Sequence, residues 1–156
     1  MALEHRSLYI TDYITTPFGA YCGSLKTWNC SDLASAAITA VVDGSNIKSN
    51  DVEQVIFGHA HMDTSPYNVA RYAWLLSRFP ENVPCYSVNR CGASGLEAAC
   101  RAWYMMATEA AGVIIIGGTE SYSQAPYILR SARYGINPDC FPVMDSIQEA
   151  ERYTQP

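Results

Sequence analysis

One cysteine stands where a reactive thiolate would be placed. Cys91 lies on a glycine-containing turn, between a short apolar run ending at Val88 and a helical run starting near Ser94. A helix start carries unpaired backbone N–H groups and partial positive charge, and both favour a thiolate over a thiol. Arg90 adds a neighbouring cation. Cys91 is therefore a candidate nucleophile; the alternative is an inert small residue in a tight turn.

A second candidate is the segment His59-Ala60-His61-Met62-Asp63, which follows a predicted strand. Alternate side chains of an extended chain point to the same side, so His59 and His61 could ligate one Zn²⁺ with Asp63. The chain has only one other histidine, and a polar loop end is the simpler interpretation. We expect no metal and keep a metal-binding module as an alternative hypothesis.

The segments that must position these residues alternate between strand and helix patterns. Ser31 is a plausible N-cap, Gly44 and Pro80 are helix stops, and Ser65-Pro66 is a helix start. The alternation predicts an α/β fold with a largely parallel sheet. The wholly apolar last strand is expected at the centre of the sheet. The predicted strands are 7–14, 52–57, 83–88 and 113–116; the predicted helices are 32–42, 65–79 and 94–108.

The helix predicted after the cysteine turn is nearly uncharged. Between Gly92 and Thr108 only Glu97 and Arg101 carry charge. A helix that is apolar all round is normally buried all round. A single α/β layer would cover one side only, so we expect a second layer on the other side, with Trp103 and Tyr122 as core or interface residues.

The composition is that of a globular domain with little charge. Of 156 residues, 49% are hydrophobic and 16% charged, and the formal net charge is −5. A negative charge argues against nucleic acid and anionic membranes as partners. The six cysteines form no Cys-x-x-Cys pair, and no signal peptide or membrane span is apparent. We therefore expect reduced thiols and a cytoplasmic location.

Four motifs, in order, resemble the thiolase family, and the similarity covers about Ser7 to Arg130. Gly117-Gly118-Thr119-Glu120-Ser121-Tyr122-Ser123-Gln124-Ala125-Pro126-Tyr127 is similar to the family's Gly-Gly-x-Glu-x-x-Ser-x-Ala-Pro-Tyr. The others are Thr16-Pro17-Phe18-Gly19, Asn68-Val69-Ala70-Arg71 and Val88-Asn89-Arg90…Ser94-Gly95-Leu96.

The resemblance implies one half of a two-half fold. It implies a mixed five-stranded-type sheet with helices on both faces in a thiolase-like domain at 1–126, and an irregular arm at 127–156 that begins the family's loop excursion. The implied activity is thiolase-type acyl transfer through a cysteine acyl-enzyme, by condensation or thiolytic cleavage as in fatty acid metabolism. Coenzyme A thioesters are the implied substrates, and no tightly bound cofactor is expected. The alternative is a non-catalytic scaffold or interaction subunit.

Two departures from the family pattern bear on activity. The Gly-His-Pro histidine and the second cysteine of the C-terminal half have no counterpart here, so we expect dependence on a complementary half or a homo-oligomer. The family spacing Asn-x-x-Cys-x-Ser-Gly would put the nucleophile at Gly92, whereas the cysteine is Cys91. Either the turn restores Cys91 to the site, or the catalytic thiol is lost.

Other polar and thiol side chains near the motifs are expected to be structural. Glu120 more simply shapes the end of a strand than donates a proton, and Asn89 and Arg71 are expected to make structural hydrogen bonds. Three further cysteines are expected to be packing residues: Cys85, Cys100 and Cys140.

Overall fold

The computed structural model describes residues 8–62, 66–108, 110–135 and 143–154. These residues form four helices and five strands, together with short 3₁₀ turns. The helices are α1 (Cys30–Gly44), α2 (Val69–Leu76), α3 (Ser94–Ala107) and α4 (Ser146–Thr154). The strands are β1 (Gln54–Gly58), β2 (Cys85–Val88), β3 (Ile114–Gly118), β4 (Tyr127–Ile128) and β5 (Met144–Asp145).

Three of the strands form a parallel sheet in the order β2-β1-β3. Strand β1 is buried along its whole length. Its side chains alternate between two layers, since Val55 and Phe57 pack against α1 and α2, whereas Ile56 packs against Ala98 and Ala102 of α3. The predicted α/β class, with helices on both faces of a parallel sheet, is confirmed.

The central strand is β1, and the sequence-based expectation for β3 was wrong. Strand β3 lies at one edge of the described three-stranded sheet, and Ile116 is 37% exposed. A run of isoleucines is apolar enough for a central position, but a run alone does not say which neighbours pair with it. Strand β1 takes the centre because both other strands hydrogen-bond to it.

Helix α1 begins two residues earlier than the pattern suggested. Its N-cap is Asn29, whose side-chain oxygen accepts hydrogen bonds from the backbone N–H groups of Ser31 (2.9 Å) and Asp32 (3.0 Å). The Asp32 carboxylate accepts the Asn29 N–H in return and completes a capping box. Ser31, the predicted cap, is instead fully buried inside the first turn. The predicted stop at Gly44 is confirmed.

Helix α2 is shorter than predicted at both ends. Asn68 is the N-cap, accepting the Arg71 N–H at 3.1 Å and donating to the Cys85 carbonyl at 2.9 Å. Asn68 therefore ties the helix start to β2, three residues after the predicted start at Ser65, which lies outside the described residues. The helix ends before Pro80, whose carbonyl accepts the Trp74 indole N–H at 2.8 Å.

The predicted N-terminal strand is wrong. Residues 8–20 form no strand, and Tyr9, Ile10 and Tyr13 are more than three-quarters exposed. A strand needs a neighbour for its backbone groups, and none of the described strands pairs with this segment. The β-rich composition indicates a preference for extended backbone, but the strands in the described part of the chain do not pair with it.

The predicted irregular arm contains more regular structure than expected. Strands β4 and β5 pair antiparallel, and helix α4 follows directly. Glu149 of α4 is buried and paired with Arg130 at 3.1 Å, and Ser146 at the start of the helix lies 3.1 Å from His61. The expected boundary between 1–126 and 127–156 stays a prediction, and the expected packing cysteine Cys140 lies outside the described residues.

Candidate functional site

The candidate site lies at the carboxyl edge of the parallel sheet. Strands β1, β2 and β3 end at Gly58, Val88 and Gly118, so the loops that follow them meet at one edge. The sheet pattern continues one residue further on each side, because His59 N–H donates to the Val88 carbonyl at 3.0 Å and Thr119 N–H donates to the Gly58 carbonyl at 3.1 Å.

Helix α3 approaches the sheet at a point where only glycine fits. A Cβ atom at Gly58 would overlap the backbone of Ser94 and Gly95, at the start of α3. Gly117 is similarly constrained, since a Cβ atom there would lie 2.6 Å from the Phe57 ring. Gly58 thus lets the start of α3 lie directly against the end of β1, and Gly117 leaves room for the Phe57 ring.

Cys91 is exposed on the turn before α3 and is held by hydrogen bonds on both sides of its peptide. Its N–H donates to the Asn89 side-chain oxygen at 3.0 Å, and its carbonyl accepts the Ser94 hydroxyl at 2.6 Å. The Ser94 hydroxyl also accepts the Arg90 N–H at 2.8 Å. Cys91 has φ of 48°, a left-handed conformation that is strained for a residue with a side chain.

Gly92, the position that the family spacing gives to the nucleophile, is not required to be glycine. Its φ lies outside the left-handed region, and a Cβ atom built there would meet nothing within 4 Å. A side chain would therefore fit at position 92 without moving the turn. The backbone at position 92 would therefore accept a cysteine. The shift of the thiol from position 92 to position 91 is a difference in sequence that the backbone does not require.

The cation next to Cys91 is already paired. The Arg90 guanidinium lies 2.6 Å from the Glu97 carboxylate, which also binds Arg101 at 2.7 Å. Hydrogen bonds from both arginines hold the pKa of Glu97 below its usual value. The expectation that Arg90 would stabilise a thiolate is therefore weakened, because the Glu97 carboxylate neutralises much of the positive charge of the Arg90 guanidinium.

A second cluster lies at the same sheet edge, around the carboxylate of Glu120. It accepts hydrogen bonds from the backbone N–H groups of Ala60 (2.9 Å) and His61 (3.2 Å) and lies 2.9 Å from His59 Nδ1. The His59 ring also lies 3.0 Å from the Thr119 carbonyl. Cys30, the first residue of α1, completes the cluster: donor atoms of Cys30, His59 and Glu120 all lie within 4.8 Å of one another.

The two ionisable groups at the centre of this cluster stabilise each other's charge. Burial would lower the pKa of His59, but the hydrogen bond and the charge of Glu120 outweigh it and raise that pKa. Burial would raise the pKa of Glu120, but hydrogen bonds from His59, Ala60 and His61 lower it. His59 is almost fully buried, so the pair is an internal one.

The two histidines of the 59–63 segment go to different partners. His61 lies 3.1 Å from the Ser146 hydroxyl of α4 and contacts the Tyr122 ring edge-on, while His59 turns to Glu120. Asp63 lies outside the described residues. The predicted trio is not assembled by its described members, and the metal-compatible cluster that includes His59 draws its other donors from Cys30 and Glu120.

The structural roles expected for Asn89 and Arg71 are confirmed. Asn89 donates to the Ala60 carbonyl at 2.8 Å and so ties the cysteine turn to the His59 loop, and Arg71 donates to the Val83 carbonyl at 2.9 Å. Cys85 is half-buried against the core, and burial raises the pKa of its thiol. Cys100 differs from the expectation because it is exposed on α3.

Sequence reasoning missed Cys30. In the sequence, Cys30 stands just before a predicted helix and belongs to no motif. The one signal was its closeness to the helix start, because a thiol in the first turn can face the strand ends. Glu120 was identified, but as a strand-end residue rather than as the partner of His59.

The fold and the site together define an α/β domain that presents a thiol-bearing turn, and a Cys–His–Glu cluster with a buried thiol and imidazole, at the carboxyl edge of its parallel sheet. The family model for the thiolase N-terminal domain matches residues 8–151. The chain belongs to the thiolase family.

Individual relatives agree with this assignment. The chain is 33% identical over 131 residues to mitochondrial 3-ketoacyl-CoA thiolase of Homo sapiens, covering 83% of this chain and 33% of that protein. It superposes on the crystal structure of Bacillus anthracis acetyl-CoA acetyltransferase with a TM-score of 0.84 and 30% identity, covering 90% of this chain and 36% of the other. The human mitochondrial 3-ketoacyl-CoA thiolase in complex with CoA gives a TM-score of 0.81 at 31% identity, covering 90% and 37%.

The chain thus spans about a third of the length of the relatives it matches. In the part of the chain that the structure describes, none of the helices combines the length and hydropathy that crossing a bilayer requires.

Proposed function

We propose that this chain is the N-terminal part of a thiolase-type acyltransferase and that Cys91 accepts the acyl group from an acyl-CoA thioester. One observation carries the proposal: Cys91 is exposed on the turn that leads into α3, and hydrogen bonds to its N–H and carbonyl fix its position. The structure solved with CoA, named above, supports coenzyme A thioesters as substrates.

The proposed step is a simple thioester exchange. The Cys91 thiolate attacks the acyl carbonyl, the bond to the CoA sulfur breaks, and CoA leaves as its thiolate. The acyl-cysteine then passes its acyl group to CoA or to the carbon nucleophile of a second acyl-CoA.

The proposed activity depends on a partner. Among the described residues, none hydrogen-bonds the Cys91 sulfur, so the base that activates it would come from a complementary thiolase half or from a second copy of this chain.

The outer face of α3 supports such a partner. The helix buries Ser94, Ala98 and Ala102 against the sheet, while Leu96 is 70% exposed and Tyr104 57% exposed. The expectation that α3 is buried all round is therefore not met within this chain, and a second layer stays a prediction.

A cytoplasmic location also stays a proposal. It is supported by the five described cysteines, none of which forms a disulfide with another described residue, since reduced thiols are usual in that compartment.

Acyl transfer is tested by intact-mass measurement. The protein is incubated with acetyl-CoA, alone and with the C-terminal half of a related thiolase supplied in trans. We expect one acetyl adduct on wild type with the added half, none on Cys91→Ser, and an unchanged adduct on Cys100→Ser, the matched control for another exposed thiol. Absence of the adduct from wild type in both arms contradicts the proposal.

The alternative, a non-catalytic scaffold subunit, is favoured by Gly92. A position that would accept a side chain carries none, as expected if the nucleophile had been lost. A scaffold predicts that Cys91→Ser leaves partner binding unchanged while no acyl adduct forms on wild type. Co-purification of wild type and of Cys91→Ser with the added half measures partner binding. Together with the mass measurement of acylation, it separates the two functions.

A further inference from the structure

We propose that Cys30, His59 and Glu120 form a binding site for one divalent transition-metal cation of the Zn²⁺ type. This site is separate from the acyl-transfer proposal and does not depend on it. Of its three residues, only His59 belongs to the His59-x-His61-x-Asp63 set that the sequence pattern suggested.

The geometry places three different donor types together. The thiol of Cys30, a ring nitrogen of His59 and a carboxylate oxygen of Glu120 are within 4.8 Å of one another. In a tetrahedral zinc site with bonds of about 2.0–2.3 Å, two donor atoms are about 3–4 Å apart. Side-chain movements that shift the donor atoms by about an ångström would therefore bring all three within bonding distance of one ion.

Three different elements supply the donors, and each is fixed by the fold. Cys30 opens α1, and its carbonyl accepts the Thr119 hydroxyl at 2.8 Å. His59 follows β1 directly, and its Nδ1 atom lies 3.0 Å from the Thr119 carbonyl and 2.9 Å from the Glu120 carboxylate. Glu120 follows β3 and is held by the N–H groups of Ala60 and His61. Outer hydrogen bonds of this kind are what orient the ligands of protein metal sites.

The charges of the site also suit a divalent cation. A thiolate at Cys30 and the carboxylate of Glu120, with a neutral His59, give two negative charges for one M²⁺ ion. Binding releases the thiol proton, and the imidazole proton where His59 is charged, to solvent.

Burial favours a bound ion and leaves one position for solvent. Cys30 and His59 are 0% and 1% exposed, so both are inaccessible to bulk water. The Glu120 side chain is 30% exposed and forms the open side of the cluster. Three protein ligands with an open fourth position is the arrangement of zinc sites that bind water or a substrate.

The purified full chain, stripped with chelator, is titrated with Zn²⁺ against a competing indicator and, separately, with Co²⁺ followed by absorption. We expect one ion per chain, a thiolate-to-cobalt charge-transfer band, and release of at least one proton per ion. Cys30→Ser should abolish the band and weaken Zn²⁺ binding at least about 100-fold. Cys85→Ser, at a half-buried thiol outside the cluster, and His61→Gln are matched controls that should keep the band.

The cobalt spectrum of wild type tests the site even if no variant folds. Absence of a thiolate-to-cobalt band in wild type overturns the site, as does a band that persists in Cys30→Ser. Should Cys30→Ser fail to fold by circular dichroism, His59→Gln and Glu120→Gln take its place. A full Zn²⁺ affinity retained in both of these variants overturns the proposal equally.

Discussion

The carboxylate of Glu120 lies 2.9 Å from the Nδ1 atom of His59, and this contact joins the residues that follow two adjacent strands, β3 and β1. The same carboxylate holds the N–H groups of Ala60 and His61, and Ala60 in turn accepts a hydrogen bond from Asn89 in the cysteine turn. A single acidic side chain thus connects the loops at the sheet edge, and its removal should lower the free energy of unfolding.

Replacing Glu120 by Gln is expected to destabilise the fold by about 1–3 kcal/mol, because it leaves a buried imidazole without its counter-charge. Glu120 has a pKa below 4.5 in the folded state, so its contribution is present above pH 4.5 and is lost as pH falls through the folded value. His59 has a pKa above 6.5, so its contribution is present below pH 6.5 and is lost as pH rises through the folded value.

The deficit of Glu120→Gln should therefore be greatest between about pH 4.5 and 6.5 and should shrink toward pH 9. Urea denaturation across this range measures it. Glu81→Gln, at an exposed glutamate, is the control and should track wild type at every pH. A deficit that does not vary with pH would show that the pair is not held by charge.

Much of this organisation was predictable from the sequence, because it depends on residues that are close together in the chain. The turn before α3, the stop at Gly44 and the parallel alternation of strands depend on neighbouring residues and on glycines, whose signals are short-range. The order of strands, the exposure of residues 8–14 and the meeting of Cys30 with His59 depend on long-range packing, which periodicity does not encode. Asn29 rather than Ser31 caps α1, because the Asn29 side chain accepts from the N–H groups of Ser31 and Asp32, whereas Ser31 itself is buried in the first turn.

Ser31 and Ser94 make a matched pair for the energetics of buried hydroxyls. The Ser31 hydroxyl is buried and finds no hydrogen-bond partner among the described residues, whereas the Ser94 hydroxyl accepts from Arg90 and donates to Cys91. Ser31→Ala should raise the free energy of unfolding by about 1 kcal/mol, since it removes an uncompensated polar group. Ser94→Ala should lower it by about 1–3 kcal/mol. Chemical denaturation that ranks the two variants in the opposite order would contradict this account.

Gly58 is where the start of α3 meets the sheet, so it should tolerate no side chain. In Gly58→Ala the new methyl group would meet the backbone of Ser94 and Gly95, which cannot rotate away as a side chain could. We expect a loss of about 3 kcal/mol or more. Gly44→Ala is the control, because a Cβ atom there meets nothing within 4 Å. Thermal unfolding of the two variants measures the difference, and equal melting temperatures would mean that α3 does not lie against Gly58.

The left-handed conformation of Cys91 predicts that the cysteine costs stability where it stands. Cys91→Gly should raise the free energy of unfolding by about 1 kcal/mol, because glycine adopts φ of 48° without strain, whereas Cys91→Ala should change it little. Urea denaturation of the three proteins at one pH tests this. A destabilised Cys91→Gly would indicate that the cysteine side chain itself makes a stabilising contact in the turn.

The displacement of the thiol by one residue can be reversed in the protein itself. Position 92 has room for a side chain and an ordinary φ, so Cys91→Ser/Gly92→Cys should fold like wild type. Because near-attack geometry is strict, only one of the two positions can present sulfur correctly to an acyl-CoA bound by the added C-terminal half. If Cys91 is the acceptor, wild type gains the acetyl group and the double variant gains it at least about tenfold more slowly. The reverse order of acetylation rates, followed by intact mass, would instead identify position 92 as the family's site and the natural chain as its non-catalytic form.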